Sequence, residues 1–225
     1  MVTARPARQV GHIAAQAGLA GVALCSNGAI VFDLQSRTVV DGHPIEPPVA
    51  AALIVDLRRA IDGVAFAFEL GLQFGREDAY PVRPTSMLVE SLAEARIADA
   101  MELAASPAHK IIAAHPLVDF DRLLDAVKVT AGDRVEVTHS TRSFVEISAR
   151  GIDKASGTRL LARRLGIDAR DVVAIGDMPN DLAMLAWAGH AVAVANAHPD
   201  VIAAADRVVA SNDDDGVAHL LEMLI

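Results

Sequence analysis

Asp177, Asn180 and Asp181 stand within one short stretch, V-V-A-I-G-D-M-P-N-D-L-A-M-L-A-W-A at residues 172–188, and Lys154 precedes them in G-I-D-K-A-S-G. Two carboxylates and an amide supply the hard oxygen donors that Mg²⁺ takes, and a lysine just ahead of a helix can neutralise a phosphate as a point charge. The chemistry these types suit is phosphoryl binding and transfer. Their competing role is local, because Asp and Asn cap helices and shape turns and a loop lysine is ordinarily solvated. The combination is more specific than any one member, since Lys154 and the acidic stretch are separated by one helix and one strand.

Those elements must position the acids. The apolar run 172–175 reads as a buried strand that breaks at Gly176, after which Leu182, Met184, Leu185 and Ala188 recur at helical spacing and Pro179 suits a first helical turn. The acids therefore fall at the carboxyl end of a strand, beside a helix start, where open α/β sheets bind anions. From Gly151 onwards the spacing predicts helices at 156–165, 181–188, 199–205 and 216–224 alternating with strands at 172–175, 190–195 and 207–210. Such alternation predicts a parallel sheet with crossover helices. Near the start, a loop enters a helix within 3–17, and strands at 22–25 and 29–33 flank the turn Ser26-Asn27-Gly28. Pro44, Pro47 and Pro48 mark a boundary. The middle third predicts helix 49–61, strand 64–69, a Gly, Pro and Arg-rich stretch at 71–84, helix 91–103, strand 109–114, helix 120–127 and a hairpin of 134–138 with 143–148. The simplest assembly is an α/β core, 1–46 with 149–225, interrupted by an inserted α+β module at 47–148.

Composition narrows the function classes. The 225 residues are 52% hydrophobic but only 4% aromatic, so the core is built of Ala, Val, Leu and Ile. A formal net charge of -9 argues against nucleic acid and anionic membranes as partners. Cys25 is the single cysteine and lies in an apolar run, which makes it a small core residue, rules out an internal disulfide and suits a reducing, cytoplasmic setting. The start lacks the apolar segment of a signal peptide, and the apolar run 182–197 is too short to span a bilayer.

Taken in order, T-A-R-P at 3–6, C-S-N-G-A at 25–29, Lys154, G-D-M-P-N-D at 176–181, A-N-A-H-P-D-V at 195–201 and S-N-D-D-D-G-V at 211–217 resemble the haloacid dehalogenase superfamily, in its Cof-type subclass IIB branch. The resemblance covers both ends of the chain and leaves the middle third where that family carries its cap. It implies a Rossmann-like parallel-sheet core with an inserted α+β cap of the C2B type, and a Mg²⁺-dependent phosphohydrolase acting on small phosphorylated metabolites such as sugar phosphates. It further implies that the Thr3 hydroxyl and Ala4 amide hold phosphate oxygens and that Lys154 steadies the transferring group. Asp177 would ligate Mg²⁺, Asn180 would bind phosphate, and Asp181 would orient Lys154 or serve the metal through water. Arg5 and Asn27 are secondary contacts. Phosphomannomutases and sucrose-phosphate phosphatases share the core, but the A-N-A-H-P segment points to the Cof type.

One departure matters. The family opens with a strand ending in D-x-D, whose first Asp attacks phosphorus and whose second acts as acid and base, and this sequence begins at the second motif. Asp119-Phe120-Asp121 and Asp213-Asp214-Asp215 are the D-x-D strings present. The first is placed as a helix N-cap and the second in a C-terminal loop. The reading is therefore of a sequence short of its native start, or of a degenerate relative, with no turnover as written; a non-catalytic phosphate-ligand-binding protein is the alternative. A sheet missing its middle strand would also leave buried amides unpaired, at a cost of about 1–3 kcal/mol each.

Overall fold

A computed structural model describes residues 1–82 and 94–224. Contacts divide the chain into two units, Met1–Ile152 and Asp153–Ile225.

The first unit begins with a parallel bridge of Val2 to Leu24, then helix α1 (Ala7–Gln16) and an antiparallel sheet of β1 (Val22–Cys25), β2 (Ile30–Asp33) and β3 (Thr38–Gly42). Pro6 stands at the N-cap of α1 and Gly18, at φ +64, follows its end. Cys25 is fully buried, and lost hydration pushes its thiol up to about 12. It packs with Ala7, Val10, Ala23, Ile30 and Phe32 as a small hydrophobe. The strand β3 was not foreseen, because T-V-V-D-G has too few apolar residues to stand out from a loop.

A six-stranded mixed sheet follows in the order β6-β5-β4-β7-β9-β8. Its strands are β4 (Ala65–Leu70), β5 (Gln73–Arg76), β6 (Arg96–Ile97), β7 (Lys110–Ala114), β8 (Val135–Thr138) and β9 (Val145–Ala149). Helices α2 (Pro47–Ala60), α3 (Ala100–Leu103) and α4 (Phe120–Ala131) contribute to one core with a single sheet face: Leu53, Leu57, Leu103, Leu123 and Val127 meet Phe66, Phe68, Ile111, Val145 and Ile147. Period-two alternation sends their neighbours to the opposite face, where Ala67, Phe74 and Ile112 cluster and the buried Glu69, Lys110 and Glu146 also point.

Of the three prolines, Pro44 precedes α2 while Pro47 and Pro48 open it, with Pro47 at its first position. Among the described residues the helix expected over 91–103 comprises α3, preceded by β6; residues 91–93 lie outside the described part. Arg96 and Ile97 take backbone pairing from β5, which overrides their helical spacing. The Gly, Pro and Arg-rich stretch at 71–84 contains β5. Its Gly75 admits the side chain of Leu103, since a Cβ there would meet Leu103 Cδ2 at 2.5 Å.

The second unit is the alternation that the sequence predicts. It runs α5 (Lys154–Leu165), β10 (Val173–Gly176), α6 (Leu182–Trp187), β11 (His190–Val194), α7 (Pro199–Ala204), β12 (Arg207–Val209) and α8 (Gly216–Leu224). The strands pair in parallel in the order β10-β11-β12, so crossover helices join each to the next. Among the described residues no helix is long and apolar enough to cross a membrane.

Candidate active site

The second unit gathers Lys154, Asp177, Asn180 and Asp181. Lys154 is the first residue of α5, two residues earlier than the periodicity predicts, because Asp153 and Ser156 form a capping box: the Asp153 carboxylate accepts from Ser156 N at 2.6 Å and Ser156 Oγ accepts from Asp153 N at 2.9 Å. This cap fixes the helix start and with it the base of the lysine side chain. Lys154 Nζ donates to Asp181 Oδ1 at 2.6 Å, with both residues buried. Asp181 Oδ2 accepts from the backbone amides of Asp177 and Met178, each at 3.1 Å. Asp181 therefore joins the lysine to the turn.

Asp177 follows β10 directly and keeps an exposed face. Lost hydration on its protein side, then the nearby Asp181 charge, raises its carboxyl above the ordinary carboxylate range, against the opposing pull of Lys154. The lysine's ion pair is made with Asp181, so the Asp177 charge is incompletely compensated. Asn180 lies in the short 3₁₀ turn Pro179–Asp181 and is buried.

Gly176 is required for this arrangement. A Cβ there would meet Asp181 Cβ at 2.6 Å and Cγ at 3.0 Å, and these atoms stand too near the backbone to swing aside. Gly176→Ala is expected to displace Asp181 from Lys154 and to cost about 1–3 kcal/mol, seen as a lower urea midpoint in Trp187 emission. An unchanged midpoint would show that the turn yields freely.

Two segments that the sequence reading used only for resemblance have structural work here. His198 N donates to Asp177 O at 2.8 Å, so the A-N-A-H-P segment holds the acidic loop. Asn196 Nδ2 donates to Asn212 Oδ1, and Asn212 N returns a bond to Asn196 Oδ1 at 3.3 Å, which links that segment to S-N-D-D-D-G-V. Partners this far apart in the chain carry no signal in local side-chain spacing.

The first unit places Thr3, Ala4, Arg5 and Asn27 together. Thr3 Oγ1 accepts from Arg5 N at 3.1 Å, Asn27 N donates to Thr3 O at 3.1 Å, and Ser26 N donates to Arg5 O at 2.9 Å. Ser26 and Asn27 hold left-handed φ values of +51 and +58, which turn both amides toward the 3–5 segment. Around it lies a buried charge group from the opposite sheet face. Arg8 pairs with Glu69 through two bonds at 2.9 and 3.0 Å, and Lys110 pairs with Glu146. Arg8 also lies over Phe74, 4.6 Å from the ring centre.

Glu69 is buried against Arg8, which lies far off in the chain. Elsewhere in this unit Arg76 donates to Glu77 O at 2.9 Å and His139 stacks edge-on to Phe120 with centroids 5.1 Å apart. Both D-x-D strings have local roles: Asp119 caps α4 by accepting from Asp121 N at 3.0 Å, and Asp214 accepts from Ser211 Oγ at 2.7 Å. Among the described residues no three His, Cys, Asp or Glu side chains gather as a metal cluster.

The order of these segments along the chain is a family pattern. Residues 1–221 match the haloacid dehalogenase-like hydrolases. The chain belongs to that family. Solved members share its fold: a haloacid dehalogenase-like hydrolase from Bacteroides thetaiotaomicron superposes with a TM-score of 0.79 at 24% identity, covering 100% of this chain and 86% of the other. One from B. subtilis gives 0.81 at 23%, with the same coverage. In sequence the chain is 37% identical over 110 residues to phosphoglycolate phosphatase of Methanopyrus kandleri, covering 49% of this chain and 46% of that protein. It is 38% identical over 95 residues to phosphatase YwpJ of Bacillus subtilis, covering 42% and 33%. Each of these two sequence matches thus spans less than half of the relative's length.

Proposed function

We propose that the chain carries the phosphoryl-handling residues of a Mg²⁺-dependent phosphohydrolase for small phosphorylated metabolites of the sugar-phosphate kind. The observation that carries this reading is the strand-end loop in which Asp177, with its raised pKa, lies beside a lysine already paired to Asp181. An exposed carboxylate with incompletely compensated charge suits a divalent cation. Mg²⁺ asks for one or two carboxylates and completes its shell with waters and substrate phosphate, so the donor set fits without a wider acidic cluster. Asp177 would hold the ion; when bound, it would supply charge neutralisation to the phosphoryl oxygens.

The chain's own residues do the rest. In the second unit Lys154, oriented by Asp181, meets developing negative charge and Asn180 binds a phosphoryl oxygen; in the first unit the Thr3 hydroxyl and the Ala4 amide are assigned to phosphate oxygens, with Arg5 and Asn27 as supporting contacts. The family's division of labour assigns residues 1–46 with 149–225 to the core and 47–148 to a cap that gates and selects the substrate. The attacking aspartate is not assigned to Asp119 or Asp213, which serve a helix cap and an exposed turn.

Hydrolysis of a generic phosphate ester, measured for residues 1–225 and for a chain extended upstream by a D-x-D strand, tests this. Turnover is expected in the extended chain with Mg²⁺, and Asp177→Asn in that chain is expected to lower kcat on the order of 10²-fold, as loss of one transition-state contact does. Turnover that survives both this change and chelation would refute the metal assignment. Phosphate-dependent thermal stabilisation with no hydrolysis in either chain would favour a phosphate-binding protein instead.

A further inference from the structure

We propose that Lys110 is a positioning residue for the Thr3 hydroxyl, setting it to donate to a phosphoryl oxygen; this rests on the assignment of Thr3 to phosphate. Three successive carbonyls in the 3–5 segment are tied down. Thr3 O and Arg5 O accept from the backbone amides of Asn27 and Ser26, whereas Ala4 O accepts from a side chain, Lys110 Nζ, at 2.5 Å. In a trans peptide the N–H of the next residue points opposite to the C=O. By holding Ala4 O, Lys110 therefore directs Arg5 N, and Arg5 N donates to Thr3 Oγ1 at 3.1 Å. A hydroxyl that accepts there keeps its single proton for another acceptor. Orientation passes from Lys110 through one peptide plane to that proton.

The lysine is itself held. It lies in β7, in register with Glu69 of β4, is 2% exposed, and pairs with Glu146, whose other oxygen accepts from Asn27 Nδ2 at 3.4 Å. Sheet, turn and N-terminal segment meet at this ammonium. A buried cation whose second bond goes to one backbone carbonyl fixes a conformation more than it adds charge to a ligand.

The test is a mutant cycle read by isothermal titration with inorganic phosphate, using Thr3→Val, Lys110→Met/Glu146→Gln and the three changes combined. The paired change removes both charges together, so that no ion is left buried alone. Thr3→Val and the paired variant are each expected to weaken phosphate binding about tenfold, and the combination no further than either, because both act through one hydroxyl. Additive losses, or an unchanged affinity in the paired variant beside a loss in Thr3→Val, would overturn the positioning role. An unchanged affinity in Thr3→Val, or no phosphate binding by the unsubstituted chain, would instead remove the phosphate assignment of Thr3 and this inference with it.

Discussion

Lys154→Met is expected to destabilise the second unit by about 3–5 kcal/mol, the range seen when one member of a buried ion pair is deleted. Asp181 would stay buried, with its Oδ2 still accepting from the amides of Asp177 and Met178 but its Oδ1 facing a thioether. Trp187, the single tryptophan, lies in α6 just beyond the acidic turn, so its emission follows this unit through urea unfolding. Lys154→Met/Asp181→Asn should regain most of the loss, because Asn keeps an oxygen for the two amides and leaves no charge behind. If the double variant were as unstable as the single one, packing of the lysine stem rather than its charge would be the stabilising part. In an extended, active chain the two effects separate: stability returns in the double variant, but turnover does not, because no ammonium faces the phosphoryl group.

The stretch around Asp177 was legible because chain-local rules meet there. A β-branched run, a glycine, a proline at a helix start and an apolar helical stripe each follow from neighbours in sequence, and β10, the turn and α6 lie where those signals put them. The start of α5 was missed by two residues, since the capping box of Asp153 and Ser156 outranks apolar spacing. Strands β3 and β5 were not legible. β5 carries Gly75, a residue that weakens strand propensity, and its reason is the side chain of Leu103, which sequence proximity does not reveal. The buried charges were hidden for the same reason. F-E-L, H-K-I and V-E-I read as strands with one polar face, and only the arrival of Arg8, Ala4 and Asn27 from the other end of the unit turns those positions inward.

Arg8→Met gives the second large effect, and its pH dependence identifies the cause. Glu69 is fully enclosed, and lost hydration raises its pKa above the ordinary 4.5; Arg8 opposes this first by hydrogen bonding and then by charge, Lys110 lowers it further and Glu146 raises it. A carboxyl whose folded pKa is raised adds stability below its unfolded pKa, and that contribution is lost as pH rises through the folded value. Removing Arg8 takes away the strongest opposing influence, raises the folded pKa further and makes that loss larger. The variant is therefore expected to be about 3–5 kcal/mol less stable near pH 8, where an unpaired carboxylate must be buried or protonated, and much closer to the unsubstituted chain near pH 5. Amide hydrogen exchange in β4 and β7 measures this within the first unit. Methionine retains a sulfur contact with the Phe74 ring that Arg8 covers, which limits the packing change. A loss of equal size at pH 5 and pH 8 would therefore assign it to packing over Phe74, and Glu69→Gln in the Arg8→Met background would then fail to restore stability at high pH.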